Sequence, residues 1–216
     1  MTEPPAADES KLSEVHVSTV DELLAAIAPN TCVVLEAGTY DLSTASDYGM
    51  TGGDWYFWED CYDGYVLILD GVNGLQLRGA GKDETLVCAV PRYAAVFSFR
   101  NCESVSVSDL TAGHTQEPEY CVGNVLDFDN CRGVSVEGCG LYGCGVQGIW
   151  ALNCEDVQVR DTEIYECSAA AAAIDNCGGV SFDGCSIHDC RDDNNTIYAN
   201  CSFLWNGEEL TEGIHW

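Results

Sequence analysis

Asp127 and Asp129 stand two apart in the run Val125-Leu126-Asp127-Phe128-Asp129. On an extended strand such residues share a face and sit about 6.5–7 Å apart. Inverting glycosidases use carboxyl pairs roughly 6.5–9.5 Å apart, so the spacing permits acid–base hydrolysis without indicating it. Asp175 would stand two coils from Asp129, about 9.6 Å away. Together Asp127, Asp129 and Asp175 are the candidate catalytic carboxylates. Trp150 offers a flat ring on which a sugar can lie, and Arg100 supplies a cation beside the acids. His114, in Gly113-His114-Thr115, is a candidate general base or ligand contact. Trp55 and Trp58, in Asp54-Trp55-Tyr56-Phe57-Trp58-Glu59-Asp60, are candidate ligand contacts. Each has a plainer reading. Outward aspartates solvate an acidic protein, a lone loop histidine is usually structural, and the loop aromatics can pack onto a neighbouring helix.

What places these residues together is a repeat. Asn-Cys occurs at Asn101-Cys102, Asn130-Cys131, Asn153-Cys154, Asn176-Cys177 and Asn200-Cys201, at intervals of 29, 23, 23 and 24 residues. A fixed period in the twenties signals one supersecondary unit stacked on itself. After the Asn-Cys pairs come alternating apolar runs: Val105-Ser106-Val107, Val134-Ser135-Val136, Val157-Gln158-Val159 and Val180-Ser181-Phe182. A third short segment follows at Leu141-Tyr142, Ile164-Tyr165 and Ile187-His188. Three strands fit in each 23-residue coil and a helix does not, so the repeat predicts an all-β parallel β-helix. The Asn side chains are expected to turn inward at a bend and form a stacked ladder.

Period two fixes the faces of the strand before each Asn-Cys. Phe99, Phe128, Ala151, Ile174 and Tyr198 should point in. Arg100, Asp129, Leu152, Asp175 and Ala199 then form one outward row, and Ser98, Asp127, Trp150, Ala173 and Ile197 a second. Arg100, Asp127, Asp129, Trp150 and Asp175 therefore share one exposed face within four coils.

Residues 1–14 read as a flexible leader, Pro-, Ala- and acid-rich. Residues 15–31 read as a capping helix unit. Thr19 and Glu22 make a capping box, and Val20, Leu23, Leu24 and Ile27 form one apolar helical face. Such a helix can cover the open first coil of a solenoid. Residues 32–216 read as the β-helix, interrupted by loops at 43–64, 81–94 and 111–123. All three loops precede the same strand of their coils, so stacking puts them along one edge of the Asp/Trp face.

The chain has 14 cysteines, and most recur at the repeat period: Cys102, Cys131, Cys154, Cys177 and Cys201, then Cys144, Cys167 and Cys190. Stacked in-register Cβ atoms about 4.8 Å apart are slightly too distant for a relaxed disulfide. The rows read as free thiols acting as small hydrophobes, leaving any disulfide to loop cysteines such as Cys61, Cys88 and Cys121. Lys and Arg total 8 against 36 Asp and Glu, a net charge of −28. That excludes nucleic acid, whose phosphates need Lys and Arg. It also disfavours acidic glycans unless Ca²⁺ bridges them. No cofactor is required, and metal ligands are unassigned. No run of about 18 apolar residues crosses a membrane.

The cap helix, Gly38-Thr39-Tyr40 after the first strand, and the Asn-x-Val-x-Val coils resemble the right-handed parallel β-helix of the pectin-lyase-like superfamily. The resemblance spans roughly residues 16–205. It implies a right-handed solenoid, a glycan partner and a secreted or cell-surface location. It leaves activity open, because the fold hosts lyases, hydrolases, adhesins and proteins without chemistry. Polygalacturonase-like members carry Asn-Thr-Asp, Asp-Asp, Gly-His-Gly and Arg-x-Lys. Here Gly113-His114-Thr115 replaces Gly-His-Gly, and Asp192-Asp193 is the one Asp pair. Two readings stand: carbohydrate binding, with or without processing, on the Asp/Trp face, or a structural or adhesin-like solenoid without a small-ligand site.

Overall fold

The computed structural model describes residues 12–115, 120–143, 146–191, 196–199, 201, 203–210 and 213–215. Its described strands build three sheets, wound as a right-handed parallel β-helix. Sheet A contains Thr31–Leu35, Gln76–Arg78, Glu103–Ser108, Arg132–Glu137, Glu155–Arg160, Val180–Asp183 and Phe203–Trp205. Sheet B contains Gly38–Asp41, Thr85–Ala89, Thr111–His114, Gly140–Tyr142, Glu163–Tyr165 and Ser186–His188. Sheet C contains Gly64–Asp70, Phe97–Arg100, Leu126–Asp129, Ile149–Leu152, Ala172–Asp175 and Thr196–Ala199. Each coil passes from A to B to C.

The corners follow from residue chemistry. At the C-to-A corner Asn101, Asn130, Asn153 and Asn176 adopt φ of 54°, 55°, 55° and 53°. This is the left-handed region that Asn tolerates better than most side chains. The corner turns the Asn outward and the Cys inward, opposite to the expected inward Asn: the four Asn are exposed, and Cys102, Cys131, Cys154 and Cys177 are buried. Outside, Asn130 Nδ2 donates to Asn101 Oδ1 and Asn176 Nδ2 to Asn153 Oδ1, each at 2.7 Å. Inside, the backbone N–H of Cys131 donates to the Cys154 sulfur (3.4 Å), and that of Cys154 to the Cys177 sulfur (3.3 Å). A thiol is small enough for the crowded axis and still accepts, weakly, from a backbone N–H that would otherwise be orphaned. A further row at the A-to-B corner includes buried Cys139 and half-buried Cys185, whose thiols donate to carbonyls of the preceding coil.

The interior is a continuous apolar column. Phe99 and Phe128 stack with centroids 5.1 Å apart, and Val105, Val134, Val157 and Val180 lie in line along sheet A. The described thiols of the two predicted rows are free, as are Cys61 and Cys88, whereas Cys121 is disulfide-bonded. Cys144 lies outside the described residues.

The N-terminal unit is more than a helix. Ser13–Val17 is a strand that pairs in parallel with Thr31–Leu35, so sheet A begins inside the segment read as leader and cap. The helix spans Val20–Ala26 and buries Val20, Leu23 and Leu24. Thr19 Oγ1 accepts from the Glu22 N–H (3.2 Å), but the Glu22 carboxylate returns to Ser18, accepting from its N–H at 2.8 Å. The Tyr40 hydroxyl donates to the Val17 carbonyl (2.7 Å), tying the cap to the first coil.

The predicted loops also change. The 43–64 segment contains Tyr56–Cys61, a strand paired antiparallel with Gly64–Asp70 through a Tyr62-Asp63 turn. Thr85–Ala89 lies within 81–94, and Thr111–His114 within 111–123; both are regular sheet B strands. Their short, weakly alternating sequences look like loop. The insertions proper are the connections from sheet B to sheet C.

Candidate functional site

Strand register assembles the outer face of sheet C. Ser98, Asp127, Trp150 and Ala173 lie in one row, and Asp70, Arg100, Asp129, Leu152 and Asp175 in the next. Asp127 and Asp129 are thus on one strand, with Trp150 beside Asp127 and Arg100 beside Asp129. Asp175 is two strands from Asp129, with Leu152 between.

Asp127 is chemically the most unusual residue here. Its Oδ1 is buried with no hydrogen-bond partner, although the residue as a whole is only half-buried. Burial raises its pKa to about 7, despite opposing effects of an Asn124 side-chain hydrogen bond and the Arg100 charge; Asp129 pushes it further up. Asn124 belongs to the B-to-C connection, and its Oδ1 accepts from the Gln147 N–H at 3.2 Å. A loop residue thereby joins the strand face. Near neutral pH, Asp127 is poised between a carboxylic acid that donates and a carboxylate that accepts.

Arg100 is committed elsewhere. Its two terminal nitrogens donate to the two oxygens of Glu59, at 2.7 Å each. This bidentate bond holds the Glu59 carboxyl below the usual range and the guanidinium above its own. Arg100 is therefore a positioning cation, and a free ligand contact only if Glu59 lets go.

The other predicted contacts fall away from the face. His114 ends a sheet B strand and is 1% exposed; its Nε2–H donates to the Ala94 carbonyl (2.8 Å) and its Nδ1 is buried without a partner. Burial pushes its pKa down, favouring the neutral ring. It is walled off as a base for an external ligand. Trp58 is 8% exposed, donates from Nε1 to Asp47 (3.1 Å) and packs edge-on against Tyr48. Trp55 and Tyr56 line a shallow recess with Leu24, Ala25, Ile27 and Ala28 of the cap. The hairpin aromatics seal the first coil, which is why they face the helix and not the acid row. Asp192-Asp193 lies outside the described residues.

Glu59, Asn124 and Asp70 were missed by sequence reasoning. Asp63-Gly64 between two apolar runs is a hairpin signal. Reading 56–70 as a hairpin would have aligned Glu59 with Val66 on the outer side of sheet C. Asn124 carries no comparable signal, since its contact depends on the path of an irregular connection. A shallow recess lined by Asn153, Cys154, Glu155, Asn176, Cys177 and Gly178 adjoins this face at the C-to-A corner. Among the described residues no three His, Cys, Asp or Glu side chains converge as a metal site.

The family described as "right handed beta helix region" matches residues 123–214. No curated protein matches the chain by sequence. Among solved structures, the catalytic domain of a GH87 α-1,3-glucanase in complex with nigerose aligns with a TM-score of 0.57 at 14% identity, covering 94% of this chain and 33% of that one. ORF18 of Geobacillus virus E2 aligns with a TM-score of 0.54 at 12% identity, covering 86% and 38%. The GH87 catalytic unit of Streptomyces thermodiastaticus strain HF3-3 aligns with a TM-score of 0.50 at 15% identity, covering 92% and 40%. This chain spans about a third of the length of the first glucanase chain. At such identities the likeness concerns the fold. The chain has the right-handed parallel β-helix fold.

Proposed function

We propose that the protein binds carbohydrate outside the cytoplasm, on the outer face of sheet C around Asp127, Asp129 and Trp150. The observation that carries this reading is the Asp127 carboxyl: one oxygen buried and unpartnered, beside an outward Trp, with burial pushing its pKa up to about 7. A local shift of the cover over Oδ1 would open it to a sugar hydroxyl that completes its hydrogen bonding, and Trp150 would take the apolar face of the ring. The ligand expected is neutral. Arg100 is held by Glu59, while Asp70, Asp129 and Asp175 repel uronates unless Ca²⁺ bridges them. The Cys121 disulfide supports an oxidising compartment. Nigerose bound to a similarly folded glucanase supports the ligand class only by analogy of fold.

The same pair fits a stronger form, hydrolysis. Asp127 would give its proton to the glycosidic oxygen as the C–O bond breaks, while Asp129 takes a proton from the attacking water. Their separation of about 6.5–7 Å suits inversion. A glycan array run with Ca²⁺ and with EDTA tests binding. Retention of neutral glycans, lost in Trp150→Ala and Asp129→Ala, supports the reading; no retention in either condition rejects it. Reducing-sugar release that disappears in Asp127→Asn and Asp129→Asn would establish hydrolysis.

A second reading, a structural or adhesin-like solenoid, is favoured by one specific fact. Arg100, His114, Trp55 and Trp58 all have internal partners or packing roles. It predicts that Trp150→Ala changes no binding.

A further inference from the structure

The connections from sheet B to sheet C form a wall along the leading edge of the sheet C strands. Their backbones are tied in series. Arg92 O accepts from Val122 N–H (2.6 Å) and Gly123 N–H (2.8 Å), Gly123 O from Val146 N–H (2.9 Å), and Val146 O from Ala169 N–H (3.1 Å). The packing is close: a Cβ on Gly123 would lie 2.1 Å from the Ala94 carbonyl oxygen. The hairpin tip joins the same wall, because the Asp63 carboxylate accepts from the N–H groups of Arg92 (2.8 Å) and Tyr93 (3.1 Å). The Ser168 hydroxyl, donating to Cys121 O (3.3 Å), braces it further.

On this braced wall stand three tyrosines out in solvent. Tyr62 is 84% exposed, Tyr93 40% and Tyr120 61%. The Tyr62 and Tyr93 rings lie 5.0 Å apart, tilted by 49°. Tyr62 is three residues beyond Glu59, about 10 Å along the chain, and Glu59 holds the Arg100 that neighbours Asp129. Among the described residues of the wall the cation is Arg92, and it is paired with Asp63 (Nε to Oδ2, 3.6 Å).

We propose that Tyr62 and Tyr93, with Tyr120 beyond them, form an outlying aromatic platform that holds a neutral polysaccharide chain passing from the Asp127–Trp150 face. The inference rests on the carbohydrate reading above and adds a second, separate contact zone. Tyrosine presents an apolar face and a polar tip, and a rigid mount reduces the ordering cost of binding. Among the described residues a polyanion finds no free cation here, and a second copy of a chain carrying −28 is repelled. A long neutral chain reaches both zones at once, whereas a disaccharide occupies only one.

The test is affinity electrophoresis in gels containing dextran, laminarin, xylan or galactomannan, paired with calorimetry using the matching disaccharide. In the gel that retards the wild type, Tyr62→Ala/Tyr93→Ala is expected to lose about tenfold in polymer affinity. Its disaccharide affinity should stay within about twofold. Tyr62→Phe/Tyr93→Phe, which keeps the ring faces, should retain most of the polymer affinity and controls for misfolding. Equal retardation of the Ala variant and wild type overturns the platform while leaving the Asp127 site standing. A wild type that is retarded in no gel and binds no disaccharide overturns both.

Discussion

Arg100 and Glu59 meet through two parallel hydrogen bonds of 2.7 Å, one from each terminal guanidinium nitrogen. The pair spans two sheet C strands that are not sequence neighbours and draws the hairpin onto the coil stack. Arg100→Met should lower unfolding free energy by about 1 kcal/mol, a modest figure because both side chains are partly solvated. It should also raise the Asp127 pKa, which Arg100 now holds down. Urea melts and a carboxyl ¹³C titration read the two effects; an unmoved Asp127 titration would refute the second.

Asp127 should make stability depend on pH in the direction opposite to an ordinary salt-bridged carboxylate. Its folded pKa, about 7, exceeds the reference value of 3.8, so the folded state holds the proton more tightly. The contribution is fully present below about pH 4 and declines between pH 4 and 7, by at most about 1.4 kcal/mol per pH unit. Asp127→Asn should flatten that slope and be more stable than the wild type at pH 8. Urea midpoints at pH 4.5 and pH 8 decide this, and parallel slopes in both proteins would exclude it.

His188 behaves in the familiar way. It bonds to Glu163 (3.0 Å) and Asp189 (2.8 Å), and these partners raise its pKa above 6.5. Its stabilisation is full below pH 6.5 and fades as pH rises through the raised folded value. The ring also stacks on Tyr165, with centroids 5.3 Å apart. His188→Phe keeps the stack and loses the charge. It should therefore cost stability at pH 6 and little at pH 9, by less than about 1 kcal/mol for so exposed a pair. Thermal melts at the two pH values check the difference.

Gly113 sits under the Tyr142 ring. A Cβ there would lie 2.4 Å from the ring and 2.5 Å from the Tyr142 carbonyl oxygen. Because one of these atoms is backbone, the strand must move. Gly113→Ala should destabilise by roughly 1–3 kcal/mol, and wild-type stability for this variant would contradict the close approach.

Thiol chemistry provides a check on the axis. Among the described free cysteines only Cys61, Cys185 and Cys201 are half-buried, and the rest are buried. Labelling of the native protein with an aromatic disulfide should therefore show a small fast fraction at these positions, identified by peptide mapping. Rapid labelling of Cys131 or Cys154 would mean that the coils open readily.

The stacked strands were legible because period two and the 23-residue interval act on the same residues. Phe99, Phe128, Ala151 and Ile174 point in as alternation requires, and Asp127, Asp129, Trp150 and Asp175 share a face by register alone. The direction of the Asn-Cys corner was not legible. Either residue can occupy a bend, and only the left-handed backbone at Asn130 and its equivalents decides which turns inward. His114, Trp55 and Trp58 eluded the sequence for another reason. Their environment is set by contacts distant in the chain, such as Ala94 over His114, which local pattern does not encode. Glu59 lay between these cases, visible only once Asp63-Gly64 is taken as a hairpin turn.

Among the described residues, sheet C at both ends and sheet A at one end finish in strands that run against the grain. Tyr56–Cys61 lies antiparallel beside Gly64–Asp70 at one end, and at the other Gly213–His215 opposes Thr196–Ala199 and Glu208–Leu210 opposes Phe203–Trp205. A repeat of parallel rungs is in principle a template for unlimited growth, since each edge offers the next rung its backbone groups. Reversed strands present a mismatched pattern to an incoming rung. At these edges the backbone pattern disfavours the addition of a further parallel rung.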